Sequence, residues 1–328
     1  MKGLQLIPDD THLDFIGKRY LAFAFSAILM LASIGLVATK GLNFGIDFTG
    51  GTVIEIKTPS TPDIGALRTE LNGLGLGAIS IQEFGAEDDL LIRLPQQQSV
   101  HDDGEEQKAA IETVRVALDA RYGDFENDEG EAGVDYRRVE FVGPQVGAEL
   151  KKQGAMAVLF SLFGILAYVW FRFEWQFGVA SIVALAHDAV LTVGLFALTQ
   201  MEFNLSTVAA VLMIAGYSIN DTVVVFDRIR ENLRKYKKMP IGELFNLSIN
   251  NTLSRTLMTS ATTVLALVAL YVFGGEVLRG FIYALMFGIV IGTYSSIFVA
   301  APLLMFMNIK RSDIGDIGSG GDVVEEDS

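Results

Sequence analysis

The chain has 328 residues, 51% of them hydrophobic, with a mean hydropathy of +0.39. A soluble domain of this length rarely reaches that average, because it must cover its surface with polar groups. It has no cysteine and only three histidines, His12, His101 and His187, which excludes disulfides, thiolate metal centres and cysteine catalysis and argues against a histidine-rich metal site.

The formal net charge of −14 is concentrated between Glu87 and Asp135 and between Asp322 and Asp327, so it describes those segments and not the apolar ones. In chain order, residues 1–19 lead to the first apolar run, Tyr20–Thr39. No small-residue cleavage site precedes Gly41, so the run reads as a retained membrane helix and not as a signal peptide. From Lys40 to Gln153 the pattern is that of a soluble domain. Gly51–Lys57, Ile79–Phe84, Asp89–Leu94 and Tyr136–Val142 read as strands. Pro62–Leu74 and Glu105–Tyr122 read as amphipathic helices, the second with Ile111, Val114 and Leu118 on one face. The order β-α-β-β-α-β predicts a small ferredoxin-like α+β unit with both helices on one face of a sheet. The acidic stretches Pro95–Gly104 and Asp124–Gly133 are expected to be solvated loops.

Residues 154–307 carry five more runs of membrane length: Gly154–Phe171, Gln176–Leu198, Phe203–Phe226, Thr256–Phe273 and Phe281–Met307. The fold class expected is therefore an α-helical polytopic membrane protein with six transmembrane helices and one small α+β domain. The segment Asp227–Arg255 carries Arg228, Arg230, Arg234, Lys235, Lys237, Lys238 and Arg255, which places it in the cytoplasm. Both termini then lie inside, including a disordered cytoplasmic tail at 308–328, and the domain 40–153 lies outside.

An ionisable residue within a span costs roughly 2.5–3.5 kcal/mol on insertion scales, and two places here call for an account. Asp221 lies about seven residues past the middle of the fourth span, with Tyr217 and Ser218 on the same helical face and Asn220 beside it. Arg255 opens a polar stripe with Thr259, Thr262 and Thr263 at the inner end of the fifth span. Attraction by Arg255 and desolvation act in opposite senses on the Asp221 proton. The cluster reads either as a pin between two helices or as a network that gains and loses a proton as the helices shift. His187 and Asp188, near the middle of the third span, are either a second relay or a lock across helices. The sixth span carries Gly280, Ala284, Gly288, Gly292, Ser296 and Ala300 at four-residue intervals, a row that lets another helix approach closely. No phosphate loop and no Ser/His/Asp set placed for nucleophilic work is found, so no enzyme is expected.

Several motifs resemble the SecD/SecF family of membrane proteins, which is related to the proton-driven RND exporters. Gly45-Ile46-Asp47-Phe48-Thr49-Gly50-Gly51 after the first span and Val142-Gly143-Pro144-Gln145-Val146-Gly147 before the second are similar to its signatures. Gly216–Asn232 and Ser254-Arg255-Thr256-Leu257-Met258-Thr259-Ser260 resemble the fourth-helix and fifth-helix motifs of its SecF branch, and His187-Asp188 falls where the family carries the same pair. The resemblance spans nearly the whole chain. It implies an accessory subunit of the bacterial Sec translocon in the cytoplasmic membrane, working with SecD and the SecY, SecE and SecG channel, with YajC as an optional further partner. The substrate would be an unfolded preprotein; lipid surrounds the spans, and no nucleic acid, metal or cofactor is implied beyond the proton gradient as energy source. Asp221 and Arg255 would match the proton-pathway carboxylate and its basic partner. The alternatives are a proton-coupled RND-type exporter of small molecules or lipids, and a passive assembly scaffold.

Overall fold

The computed structural model describes residues 12–97, 105–123, 133–274, 278–307 and 309. Most of the expected acidic loops Pro95–Gly104 and Asp124–Gly133, namely 98–104 and 124–132, and the tail from 310 fall outside them. Among the described residues, six helices are long and apolar enough to cross a membrane. They are α1 (Arg19–Lys40), α5 (Pro144–Arg172), α6 (Trp175–Thr199), α7 (Leu205–Lys235), α8 (Ile241–Phe273) and the run Arg279–Phe306. That last run is α9 (Arg279–Ser295), a π-helical turn (Ser296–Ala300) and α10 (Ala301–Phe306). Helices α1, α5 and α8 present bare apolar side chains such as Leu21, Phe163, Phe171 and Leu265. An aqueous surface would not carry so much apolar area, whereas a lipid one does.

Three helices overrun their apolar windows, because hydropathy marks where the bilayer lies and not where hydrogen bonding stops. Helix α5 begins at Pro144, ten residues before the expected Gly154, since proline suits the first helical turn where its missing N–H is no loss. The basic segment Asp227–Arg255, read from sequence as a loop, is mostly helix. Here α7 and α8 continue past the apolar region as an antiparallel pair, with Phe226, Ile229 and Leu233 packed on Leu244, Phe245 and Ile249. The Asn232 amide donates to Ser248 Oγ at 2.8 Å inside that contact. The N-terminal segment hooks onto the same extension: the N–H groups of Phe15 and Ile16 both donate to Asn246 Oδ1 at 2.9 Å, and the Asn246 amide donates to Asp14 at 2.8 Å.

The chain between α1 and α5 forms a short turn of helix, α2 (Ile46–Thr49), then β1 (Gly51–Lys57), α3 (Ile64–Asn72), β2 (Ser80–Phe84), β3 (Ala86–Leu94), α4 (Glu105–Tyr122) and β4 (Asp135–Val142). The sheet order is β2-β3-β1-β4, every pair antiparallel, with Ile54 opposite Ile92 and Val139. This is the connectivity of two interlocked β-α-β units. Alternate residues Ile54, Ile56, Leu90, Ile92 and Leu94 meet Leu67 and Leu71 of α3 and Ala110, Val114 and Leu118 of α4, so both helices cover one face. Val53 and Leu91, on the opposite face, pack on Ile46. Gly51 is required at the entry to β1: its φ is +112°, and a Cβ there would lie 2.6 Å from the Leu94 carbonyl oxygen.

Candidate functional site

The centre of the helical bundle is built on glycine. Along α9, a Cβ on Gly288 would fall 2.3 Å from Ile214 and one on Gly292 would fall 2.9 Å from the Ser218 Cβ, so α7 and α9 are in backbone-close contact. The small-residue row of the last span is thus a packing surface. Close approach lets short hydroxyl side chains reach between helices, and two carboxylates sit among them.

Asp188, on α6, is 1% exposed. Its Oδ2 accepts from Ser218 Oγ of α7 at 2.6 Å and from Ser295 Oγ of α9 at 2.8 Å, and its Oδ1 lies 2.9 Å from His187 Nδ1. His187 stacks on Tyr294, whose hydroxyl meets Ser26 Oγ at 3.1 Å and the Ala22 carbonyl at 3.2 Å, both on α1. Among the described residues, the buried His187 Nε2 atom has no hydrogen-bond partner. One carboxylate therefore ties α6 to α7 and α9, and the tyrosine stacked on its histidine bonds to α1.

Asp221, one helical turn beyond Ser218 on α7, is 2% exposed. Its Oδ2 accepts from Thr293 Oγ1 of α9 at 3.3 Å and from Ser260 Oγ of α8 at 3.5 Å, while those two hydroxyls are 2.6 Å from each other. Both bonds to the carboxylate are at the long end of the range, where they weaken. A third contact between the same helices joins Thr222 Oγ1 to Ser296 Oγ at 2.8 Å, and Ser296 opens the π-helical turn. Such turns occur often at functional sites, because the extra residue re-aims side chains on either side of it.

The residues singled out from sequence separate into two groups. Ser218, Asp221, His187 and Asp188 are brought together, and Tyr217 joins Thr263 through a 3.3 Å contact between hydroxyls at the edge of the cluster. Arg255, Asn220, Thr259 and Thr262 are not brought in. Arg255 is exposed and makes no ion pair with Asp221. The cause is helical phase: the face of α8 turned to the bundle carries Thr252, Thr256 and Ser260, and Arg255 lies about 140° around the helix from Ser260. Thr259 and Thr262 bond back to carbonyls of their own helix. Asn220 lies on the exposed side of α7. Asp227 accepts from Arg172 at 3.1 and 3.2 Å, with both side chains half exposed. Thr293, Ser295 and Tyr294 were not anticipated. Their signal was the run of polar residues Thr293 to Ser296 inside an otherwise apolar span.

Ionisable groups within membrane helices are rare and mark ion or substrate pathways, so a six-helix bundle sealing several of them at its centre is a polytopic membrane protein of the transport class. The model of the protein export membrane protein SecD/SecF C-terminal region matches residues 125–310, and that of the SecD/SecF GG motif matches residues 35–58. The protein translocase subunit SecF of Rickettsia rickettsii is 47% identical over 308 residues, covering 94% of this chain and 96% of its own length. That of Cereibacter sphaeroides is 45% identical over 314 residues, with 94% and 93% covered. Among solved structures, the translocon-associated membrane protein SecDF from Thermus thermophilus matches with a TM-score of 0.78 at 39% identity. A super-membrane-facing form of SecDF matches at 0.65, so this chain is arranged more like the former. The chain covers 40% of the length of the first SecDF chain, which in turn matches 92% of this one. The chain belongs to the SecD/SecF family of protein-export membrane proteins.

Proposed function

We propose that the chain is an accessory subunit of the Sec translocon in the bacterial inner membrane. In this reading it works beside SecD and the SecY, SecE and SecG channel, with or without YajC. It uses the proton gradient to promote late translocation of an unfolded preprotein, and its α+β unit faces the periplasm. The supporting observation is the contrast in how Asp221 is held: deeply buried, yet bound by two long hydrogen bonds from hydroxyls on two other helices. When Asp221 carries its proton, the hydroxyls of Ser260 and Thr293 suffice as partners. When it gives the proton up, the bare charge draws a cation, and Arg255 reaches it only if α8 turns. Tyr217 and Thr263, already in contact between α7 and α8, lie where that turn is felt, and the stripe Thr259, Thr262 and Thr263 supplies hydroxyls as it proceeds. His187 and Asp188 form a second, firmly bonded station joined to the first through Ser218.

The energy is of the right order. Moving one charge through the membrane potential yields about 2.3 kcal/mol per 100 mV, and one pH unit adds about 1.4 kcal/mol. Driving a two-state element from 1:99 to 99:1 takes about 5.5 kcal/mol, so one proton at moderate potential biases a shift strongly.

The test is preprotein export from inverted vesicles after the ATP-driven step, with and without a proton gradient. Asp221→Asn and Arg255→Met, matched to wild type in expression, are expected to lose the gradient-dependent component. Full gradient dependence in both variants would refute the assignment and leave His187 and Asp188 as the next residues to examine.

A further inference from the structure

The α+β unit is fastened to the helical bundle by more than the chain that enters and leaves it. Its entry segment, residues 41–51, runs beside the loop joining α6 to α7. Phe203 donates its N–H to the Asn43 carbonyl at 2.8 Å and accepts from the Gly45 N–H at 2.9 Å, forming a parallel bridge between Phe44 and Phe203. The Asn43 amide donates to the Gln200 carbonyl at 2.8 Å, and the Gln200 amide to the Gly41 carbonyl at 3.2 Å. Arg93 of β3 pairs with Glu202 and donates to Asn43 Oδ1 at 3.2 Å, which binds the sheet itself into the same contact. The rings of Phe44, Phe48 and Phe203 fill the space beneath, with centroids 5.9 to 6.1 Å apart.

One bond in this set reaches α7 directly. The first turn of a helix has N–H groups without partners inside the helix, and α7 meets part of that need from its own sequence, as Asn204 and Thr207 form a reciprocal capping box. The N–H of Leu205, the first residue of α7, is instead taken by Asp47 Oδ2 at 2.8 Å, from the entry segment of the sheet. A carboxylate there is also favoured by the positive end of the helix dipole. Asp221 lies sixteen residues further along the same helix, about 24 Å away.

We infer that residues 41–51 and 200–205 form a permanent clasp that makes α7 and the sheet one moving body, with Asp47 as the positioning residue that fixes the helix end. This rests on the proton-coupled reading of Asp221 given above. Under that reading a tilt or slide of α7 set off at Asp221 passes to the sheet without a hinge between them, and any hinge in the cycle lies at α8 or in the flanking connections.

The chain contains no cysteine, so a cross-link across the clasp can be introduced cleanly. A Cβ on Gly45 would lie 3.2 Å from the Asn204 Cβ and would meet the end of the Glu202 side chain, a separation a few tenths of an ångström below the disulfide range that a small shift of the loop makes up. The experiment uses Gly45→Cys with Asn204→Cys, co-expressed with SecD, in inverted vesicles. The oxidised protein is expected to keep gradient-dependent export within about twofold of the same protein reduced. Loss on oxidation with recovery on reduction would show that the clasp opens in the cycle and would overturn the inference, as would failure of the pair to cross-link. In parallel, Asp47→Ala is expected to cut gradient-dependent export several-fold and to speed hydrogen exchange at 205–208. Asp47→Asn, whose amide oxygen still accepts from Leu205, should recover most of both. Wild-type behaviour in Asp47→Ala would overturn the positioning role. Asp221→Asn in the same vesicles separates the two ideas: if it keeps its gradient dependence the proton reading fails, while cross-linking and exchange still judge the clasp.

Discussion

Asp188 and Asp221 are almost equally buried, at 1% and 2% exposure, and both lie among serine and threonine hydroxyls, yet they are held in opposite ways. Asp188 engages both oxygens in three contacts of 2.6 to 2.9 Å, drawn from its neighbour and from two other helices. Asp221 engages one oxygen in two contacts of 3.3 and 3.5 Å, and the hydroxyls that provide them hold each other more closely, at 2.6 Å. Burial by itself therefore does not distinguish a lock from a switch. A charge in a low-dielectric interior is tolerated when its lone pairs are filled by short bonds, and the Asp188 centre meets that condition. Asp221 does not, so small helix movements can change its partners at little cost.

The largest expected effect tests that contrast on stability. Asp188→Ala removes the acceptor of several buried donors. Ser295 can fall back on the Gly292 carbonyl, already 3.1 Å away, whereas Ser218 Oγ and His187 Nδ1 make no other hydrogen bond among the described residues. At about 1–3 kcal/mol for a buried donor left unpaired, moderated by the smaller values found inside membranes, the variant should lose about 2–4 kcal/mol. Asp221→Asn should melt close to wild type in the same detergent, since it gives up only weak bonds and replaces an ionisable group by a neutral one. Equal losses in the two variants, read by thermal unfolding, would erase the distinction.

An intermediate effect is expected from Ser218→Ala. This hydroxyl makes the shortest bond to Asp188, and its residue stands one turn from Asp221, so it joins the two centres. Asp188 keeps Ser295 and His187 without it, and the loss should be about 0.6–1.7 kcal/mol, the scale of single hydrogen bonds between membrane helices. A loss matching that of Asp188→Ala would move the keystone from the carboxylate to the serine.

Much of this contrast was hidden in the sequence, for a physical reason. Asp221, Tyr217 and Ser218 share a face by simple spacing, and the alternation of Ile54 with Ile56 and of Leu90, Ile92 and Leu94 marks the buried side of the sheet. Phase between helices is another matter. Helix α8 has polar residues on two stripes, Thr252, Thr256 and Ser260 buried against the bundle and Arg255, Thr259 and Thr262 on an exposed flank beside them. Residue types do not say which stripe turns inward. Charge made Arg255 the conspicuous choice, although a hydroxyl, small and able to donate, suits a close helix contact better. The ends of α7 and α8 were hidden likewise, because polar residues stop a hydropathy window without stopping a helix.

Asp14 provides the smallest effect and a control for both buried acids. It accepts from the Gly17 N–H and the Asn246 amide, each at 2.8 Å, bonds as short as those of Asp188 but made at the surface. The Gly17 N–H first, and then the Asn246 amide, hold its carboxyl below the usual aspartate range. A lowered folded value means that the group's contribution is fully present above the unfolded pKa, about 3.9, and is lost as pH falls through the folded one. Asp14→Ala should therefore loosen the hook of residues 13–17 on α8 at pH 7, seen as faster hydrogen exchange there, with global melting nearly unchanged. The difference from wild type should fade as pH falls below the usual aspartate range, where the wild-type carboxyl takes up its proton. If Asp14→Ala instead lowered the melting temperature as much as Asp188→Ala, short bonds alone would account for the Asp188 lock, and burial would add nothing to it.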